Sequence, residues 1–115
     1  MAFMSVTIKV VDSQHPEIII VIQKAPIGSN LHKVMTLGHQ QYPEKFSFKV
    51  VEYEELGSYV TCINGVCEQK PIHWMIYGSN DELLPKGIDN TTPKNGDTYT
   101  WKYEYAAASA CDQTS

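Results

Sequence analysis

An α+β fold in two layers, one helix packed on a mixed β-sheet in a β-grasp-like order, is predicted for this chain by three observations. Apolar and polar residues alternate near both ends, over residues 5–11 and 98–105, as half-buried strands require. Between them one helical period stands out, over residues 30–41. The dipeptide Asn64-Gly65, flanked by β-branched and aromatic residues, is a strong hairpin signal and predicts a β-hairpin at 59–69. The order strand, strand, helix, then several strands lets the single helix cover one face of the sheet.

In 5–11, Val6, Ile8 and Val10 oppose Thr7, Lys9 and Val11. Residues 12–16 supply a turn, and the nearly continuous apolar run in 17–23 predicts a second strand lying deep in the sheet. Residues 25–28 break it. Ser29 or Asn30 can cap the helix, whose Leu31, Val34 and Met35 recur at i, i+3 and i+4 to form the face laid on the sheet. Gly38 weakens its middle by ~1 kcal/mol relative to Ala. Pro43 ends it by biasing Tyr42 out of the α region. Phe46, Phe48 and Val50 then alternate with Ser47, Lys49 and Val51 in a strand over 46–53.

In the hairpin, a two-residue type I′ turn at Asn64-Gly65 sets Ile63 against Val66 and Cys62 against Cys67. Directly opposed Cα atoms lie roughly 4.5–5.5 Å apart, within disulfide reach, so a Cys62–Cys67 bridge is predicted. Residues 68–71 form the hairpin's far end and 72–77 the next strand. Residues 78–96 make a long irregular crossing, of a kind often functional. In the last strand Tyr99, Trp101, Tyr103 and Tyr105 alternate with Thr98, Thr100, Lys102 and Glu104. Residues 1–105 thus read as one domain. The small and polar residues 106–115, with Cys111, read as a tail without fixed structure.

A chain of 115 residues supports one core, and 43% hydrophobic with 19% charged residues is an ordinary globular composition. A net charge of −4 with nine scattered Lys and Arg leaves no footprint for nucleic acid. No apolar run approaches the ~20 residues of a membrane span, so no membrane partner is expected. The first four residues lack the apolar core of a signal peptide. Three cysteines are an odd count, which leaves one outside an internal pair. Asn90-Thr91-Thr92 is an N-glycosylation sequon in a loop setting.

The residues that carry catalytic or metal chemistry are dispersed. His32 and His39 are seven apart on one helix, about 10.5 Å along its axis. His15 and His73 have no carboxylate at ligand spacing, and Cys62 and Cys67 lack a second Cys or His pair for zinc. Glu54 and Glu55 are adjacent on an extended segment and point apart. The glycines are isolated and build no phosphate loop. A non-enzyme that requires no cofactor or metal is expected.

Several separate segments, in one order, resemble the C-terminal β-domain of the vitamin B12 carriers, transcobalamin and intrinsic factor. They are GSYVTCINGV from Gly57, HWMIYG from His73, Lys86-Gly87-Ile88, Lys94-Asn95-Gly96-Asp97, and a closing Trp101-Lys102-Tyr103. The family pattern is roughly Y-[IV]-T-S-[IV]-x-G, then Y-W-x-L-x-S-G, a G-[IV] step and N-G-[DE]. The resemblance covers about half of the chain. It implies a secreted, non-catalytic domain that lies over a corrinoid, which in those carriers is held against an N-terminal helical domain with no counterpart in these 115 residues. Carried over by position, His73 stands for the family's Tyr, Trp74 for its Trp and Ile76 for its Leu. Gly78 and Ser79 stand in reversed order for its Ser-Gly.

Residue reading and resemblance converge on one surface. Trp74 shares an apolar face with Ile72 and Ile76 and reads first as core, while His73, Met75 and Tyr77 share the other face. If the helix leaves that face open, Met75 and Tyr77 can meet a large flat ligand. The expected ligand-binding residues are His73, Trp74, Met75, Tyr77, Gly78, Ser79, Leu83 and Leu84, with Ile88 completing the loop. Cobalamin, a related corrinoid or another large, partly apolar molecule is the expected ligand. The alternative is a protein-interaction module that uses a sheet edge or the 78–96 loop, completing a site with a separate helical partner.

Overall fold

Alternation in the first and last strands builds the centre of the molecule, as the computed structural model shows; it describes residues 2–54, 57–84 and 87–105. The elements are β1 (Phe3–Asp12), β2 (His15–Pro26), α1 (Leu31–Gln41), β3 (Phe48–Tyr53), β4 (Gly57–Ile63), β5 (Val66–Cys67), β6 (Ile72–Tyr77), a 3-10 turn at Ile88–Asn90, and β7 (Thr98–Tyr105). β1 pairs antiparallel with β2 and parallel with β7, and β7 pairs antiparallel with β6. The result is a four-stranded mixed sheet of order β2-β1-β7-β6, with one helix on one face. The α+β class holds. The tail, Cys111, Glu55 and Lys86 lie outside the described residues.

The core fills the space between this sheet and α1. Val6, Ile8, Ile20 and Ile22 from the sheet meet Leu31, Val34 and Met35 from the helix, all buried. Asn30 proves to be the N-cap, its side chain accepting from the Lys33 N–H at 2.9 Å. Gly38 has a packing reason. A Cβ there would stand 2.9 Å from the end of Ile22, so its absence lets helix and sheet close.

Four sequence expectations change. The hairpin belongs to a separate three-stranded sheet, β3-β4-β5, rather than to the main one. Its far strand stops at Cys67, because Gln69 and Ile72 exchange main-chain hydrogen bonds of 3.0 and 2.7 Å that turn the chain straight into β6. β3 begins at Phe48; Phe46 is buried before it, its N–H bonded to the Tyr42 carbonyl at the helix end. Finally, β2 is an edge strand, not an interior one. Ile20 and Ile22 are buried, but Ile19 and Val21 point to the uncovered face and are 52% and 37% exposed. A continuous apolar run shows hydrophobicity on both faces, not that two layers exist to cover them.

The outer edge of β2 is capped at Val21 and Gln23. Gln41, at the end of α1, accepts from the Gln23 N–H (2.9 Å) and donates to the Gln23 carbonyl (2.8 Å). Tyr42 donates to the Val21 carbonyl at 2.8 Å. These side chains supply what a neighbouring strand would have supplied, a recognised protection of sheet edges. No helix of the described residues is long and apolar enough to cross a membrane.

Candidate functional site

β6 forms the other edge of the main sheet, and this edge borders a cavity. Ile76 and Trp74 point inward at 9% and 4% exposure, while His73, Met75 and Tyr77 are half-buried on the face away from α1. Trp74 is fixed from two sides: its indole N–H donates to the Val66 carbonyl at 2.8 Å, and its ring lies 4.9 Å from that of Tyr103. The predicted Cys62–Cys67 disulfide is formed, with Cα atoms 4.0 Å apart, so the hairpin carrying Val66 is cross-linked behind Trp74.

Between β6 and β4 lies an apolar cavity of about 360 Å³. Trp74, Met75 and Ile76 make one wall, Ser58 to Val60 another, and Leu83, Leu84 and Ile88 close it from the loop. The Leu84 N–H bonds the Ile76 carbonyl at 3.0 Å, and the Gly78 N–H bonds the Glu82 carbonyl at 2.9 Å, which folds the loop back on the strand. Gly78 permits this closeness, since a Cβ would come within 3.3 Å of Leu84.

Of the eight residues singled out in the sequence, His73, Trp74, Met75, Leu83 and Leu84 meet at this cavity. The other three lie beyond it. Tyr77 donates to Glu104, and the Lys102 ammonium lies 4.5 Å from its ring centroid. The hydrogen bond to Glu104, then burial, push the Tyr77 hydroxyl up to about 12. Ser79 ties the loop to β7, accepting from the Thr98 N–H at 2.9 Å, and Gly78 sits in the turn.

Tyr59, Val60 and Trp101 also line the cavity, and none was singled out as a binding residue from sequence. For Trp101 the alternation of the last strand was the available signal, and it pointed equally to core. Trp101 is 3% exposed, and its indole N–H has no hydrogen-bond partner among the described residues. An unsatisfied buried donor costs ~1–3 kcal/mol, so it is a group in want of an acceptor.

At the mouth, Tyr59, Glu68 and His73 form a triangle. Glu68 Oε1 accepts from the Tyr59 hydroxyl at 2.9 Å and lies 2.7 Å from His73 Nδ1. Burial, reinforced by Glu68, pushes the Tyr59 hydroxyl up to about 12. A second cluster joins α1, β4 and the 3-10 turn. Asp89 takes His32 Nδ1 at 2.8 Å and the Ser58 N–H at 2.8 Å. Burial alone would raise the Asp89 carboxyl, but the hydrogen bonds from His32 and Ser58 outweigh it and hold the group below its ordinary range.

Ser58, His32 and Asp89 are the residue types of a catalytic triad, but not its geometry. The Ser58 hydroxyl lies 3.3 Å from Nδ1, the same ring nitrogen that Asp89 occupies. A triad needs nucleophile and carboxylate on opposite nitrogens, so this arrangement cannot relay a proton between them. His15 and His73 each do find one carboxylate, Asp12 and Glu68, at 2.7 Å, which spacing along the chain had not indicated. Among the described residues no three His, Cys, Asp or Glu converge closely enough to hold a metal ion.

A family model described as "Domain of unknown function (DUF4430)" matches residues 28–105. No curated protein matches the sequence. Among solved structures, haptocorrin in complex with Cbi has a TM-score of 0.76 at 23% identity; the match covers 91% of this chain and 26% of the haptocorrin chain. A Ruminococcus gnavus protein with a provisional metal-binding description has a TM-score of 0.64 at 16% identity, covering 90% of this chain and 98% of that one. At these identities the likeness is one of fold, and the resemblance to the B12-carrier β-domain holds at that level. This chain spans about a quarter of the haptocorrin chain.

Proposed function

Because the chain belongs to the DUF4430 family and shares its fold with a corrinoid carrier, we propose that it is a non-catalytic ligand-binding domain whose seat is the cavity beside β6. The observation that carries this reading is convergence. Five residues that the B12-carrier resemblance and the loop marked in advance, His73, Trp74, Met75, Leu83 and Leu84, surround one apolar cavity of about 360 Å³. That volume and lining are typical of small-molecule sites. The ligand is a corrinoid or another large, partly apolar molecule, of which the cavity takes one edge and the exposed loop residue Leu83 another part. A separate helical partner would enclose the rest.

The Cys62–Cys67 bond supports an oxidising, extracellular setting. Asn90 is exposed at the end of the 3-10 turn, where a glycan can be accommodated. No Asp, Glu, Lys or Arg side chain stands among the described cavity walls, which suits a partly apolar ligand.

The test is a titration of the purified domain with cobinamide and with aquocobalamin, read by corrinoid absorbance and Trp fluorescence. Saturable binding at micromolar ligand is expected, weakened about tenfold in Leu83→Ala by loss of one buried apolar contact. Tyr77→Ala should bind as the parent does. Loss in Tyr77→Ala with none in Leu83→Ala would move the seat to the outer face of the sheet. Absence of binding to either corrinoid would refute the corrinoid assignment.

A further inference from the structure

We propose that the same cavity receives a short, extended, uncharged peptide segment, which pairs through its main chain with the free edge of β6. Three features of the walls point to such an occupant. On β6, the Ile76 carbonyl bonds the Leu84 N–H, and Ile72 exchanges bonds with Gln69, so this register of residues turns its main-chain groups away from β7. Trp74 lies between these two stops in the same register. Its N–H and C=O have no hydrogen-bond partner among the described residues.

On the opposite wall, the Ser58 N–H turns away from β3 to reach Asp89 at 2.8 Å. Ser58 to Val60 keep a regular register against Glu52 to Val50, which puts the Val60 N–H on that same side; the register shifts just beyond it, between Val60 and Cys62. β5 does not cover the Val60 N–H, since its line reaches only Thr61, whose carbonyl accepts the Glu68 N–H at 2.9 Å. The third feature is the Trp101 indole N–H, buried on the cavity wall with no acceptor among the described residues.

An N–H and a C=O at strand spacing are complemented by another extended main chain. The unpaired Trp101 donor calls for a carbonyl, which a peptide also offers. The stops at Ile72 and Ile76 leave roughly 13 Å of edge, at about 3.3 Å per residue, so the occupant is a stretch of about three residues. With no Asp, Glu, Lys or Arg side chain on the described walls, those residues are uncharged. This mode of recognition is strand addition, with affinity from the main chain and selectivity from the apolar cavity. It stands apart from the corrinoid reading, and either can fail while the other holds.

The experiment is a titration of the isotope-labelled domain with an acetylated, amidated Val-Ala-Val peptide, followed through its backbone and indole N–H signals. Saturable shifts are expected at the Trp74 and Val60 amides and at the Trp101 indole. A peptide methylated on its central nitrogen, which keeps the shape but loses the donor, should bind at least about tenfold more weakly. Trp101→Phe should keep the fold and bind the parent peptide about fivefold more weakly. Equal binding of the methylated peptide, or no shift at millimolar peptide, would overturn the proposal. Shifts of the same amides on raising protein concentration alone would make a second copy of the chain the occupant, and overturn it too.

Discussion

The two outer edges of the four-stranded sheet solve the same problem in opposite ways. An edge strand exposes N–H and C=O groups that must find water, a side chain or another strand. At β2 the helix end supplies the partners: Gln41 bonds both main-chain groups of Gln23, and Tyr42 takes the Val21 carbonyl. At β6 the partners come only at the two ends, from Gln69 and Leu84, and the stretch between them borders an apolar cavity. One edge is capped mid-strand by side chains of its own helix end, and the other is capped only at its two ends, with the stretch between them over a hydrophobic floor. The difference supports the proposed seat beside β6 without reference to any relative.

The most costly way to disturb the open side is to remove its cross-link. Cys62→Ala with Cys67→Ala should lower stability by about 2 kcal/mol, the value expected for a short closed loop. The Val66 carbonyl that holds Trp74 would lose its anchor, so the Trp emission should shift as well. Chemical denaturation and fluorescence check both. Unchanged emission would mean that the disulfide does not support the cavity wall.

At the capped edge, Gln41→Ala removes two hydrogen bonds to Gln23 and should cost about 1 kcal/mol. Its larger consequence is association, since the uncapped stretch of β2 then extends from Ile19 to Gln23 but for the Tyr42 bond at Val21, with Ile19 and Val21 exposed beside it. Sedimentation should show dimers or larger species in Gln41→Ala and monomer in the parent. Ligand binding at the β6 cavity should not change.

The smallest effect tests the brace under the cavity. Asp89 joins His32, Ser58 and the turn that carries Ile88. Its carboxyl is held below its ordinary value by His32 and Ser58 against the opposing effect of burial. The unfolded chain therefore takes up this proton first as pH falls. The brace is fully present above the unfolded value of about 3.9 and is lost as pH drops through the lower folded value. Asp89→Asn should be slightly less stable at neutral pH and show a flatter acid limb. An acid limb identical to the parent's would remove Asp89 from the account.

Much of this architecture was legible in the residues. Alternation placed β1, β6 and β7, and β6 and β7 match their expected ends to the residue. Asn64-Gly65 set a register that puts Cys62 opposite Cys67. The i, i+3, i+4 spacing of Leu31, Val34 and Met35 oriented the helix. What stayed hidden depends on contacts between distant segments. The apolar run of β2 could not reveal that no layer covers Ile19 and Val21. Tyr59 and Val60 join the cavity only because the hairpin forms its own sheet and brings β4 opposite β6. The seal at Gln23 depends on a glutamine 18 residues away, and no local pattern marks such a pair.

Hydrogen exchange at two amides tests the central contrast most directly. Gln23 N–H is bonded to Gln41 and should exchange slowly, whereas Trp74 N–H should exchange fast for a residue so deep in the sheet. On adding cobinamide, protection should rise at Trp74 and stay unchanged at Gln23. A Trp74 amide already as protected as Gln23 in the free domain, or indifferent to the ligand, would contradict an open edge that serves as the binding seat.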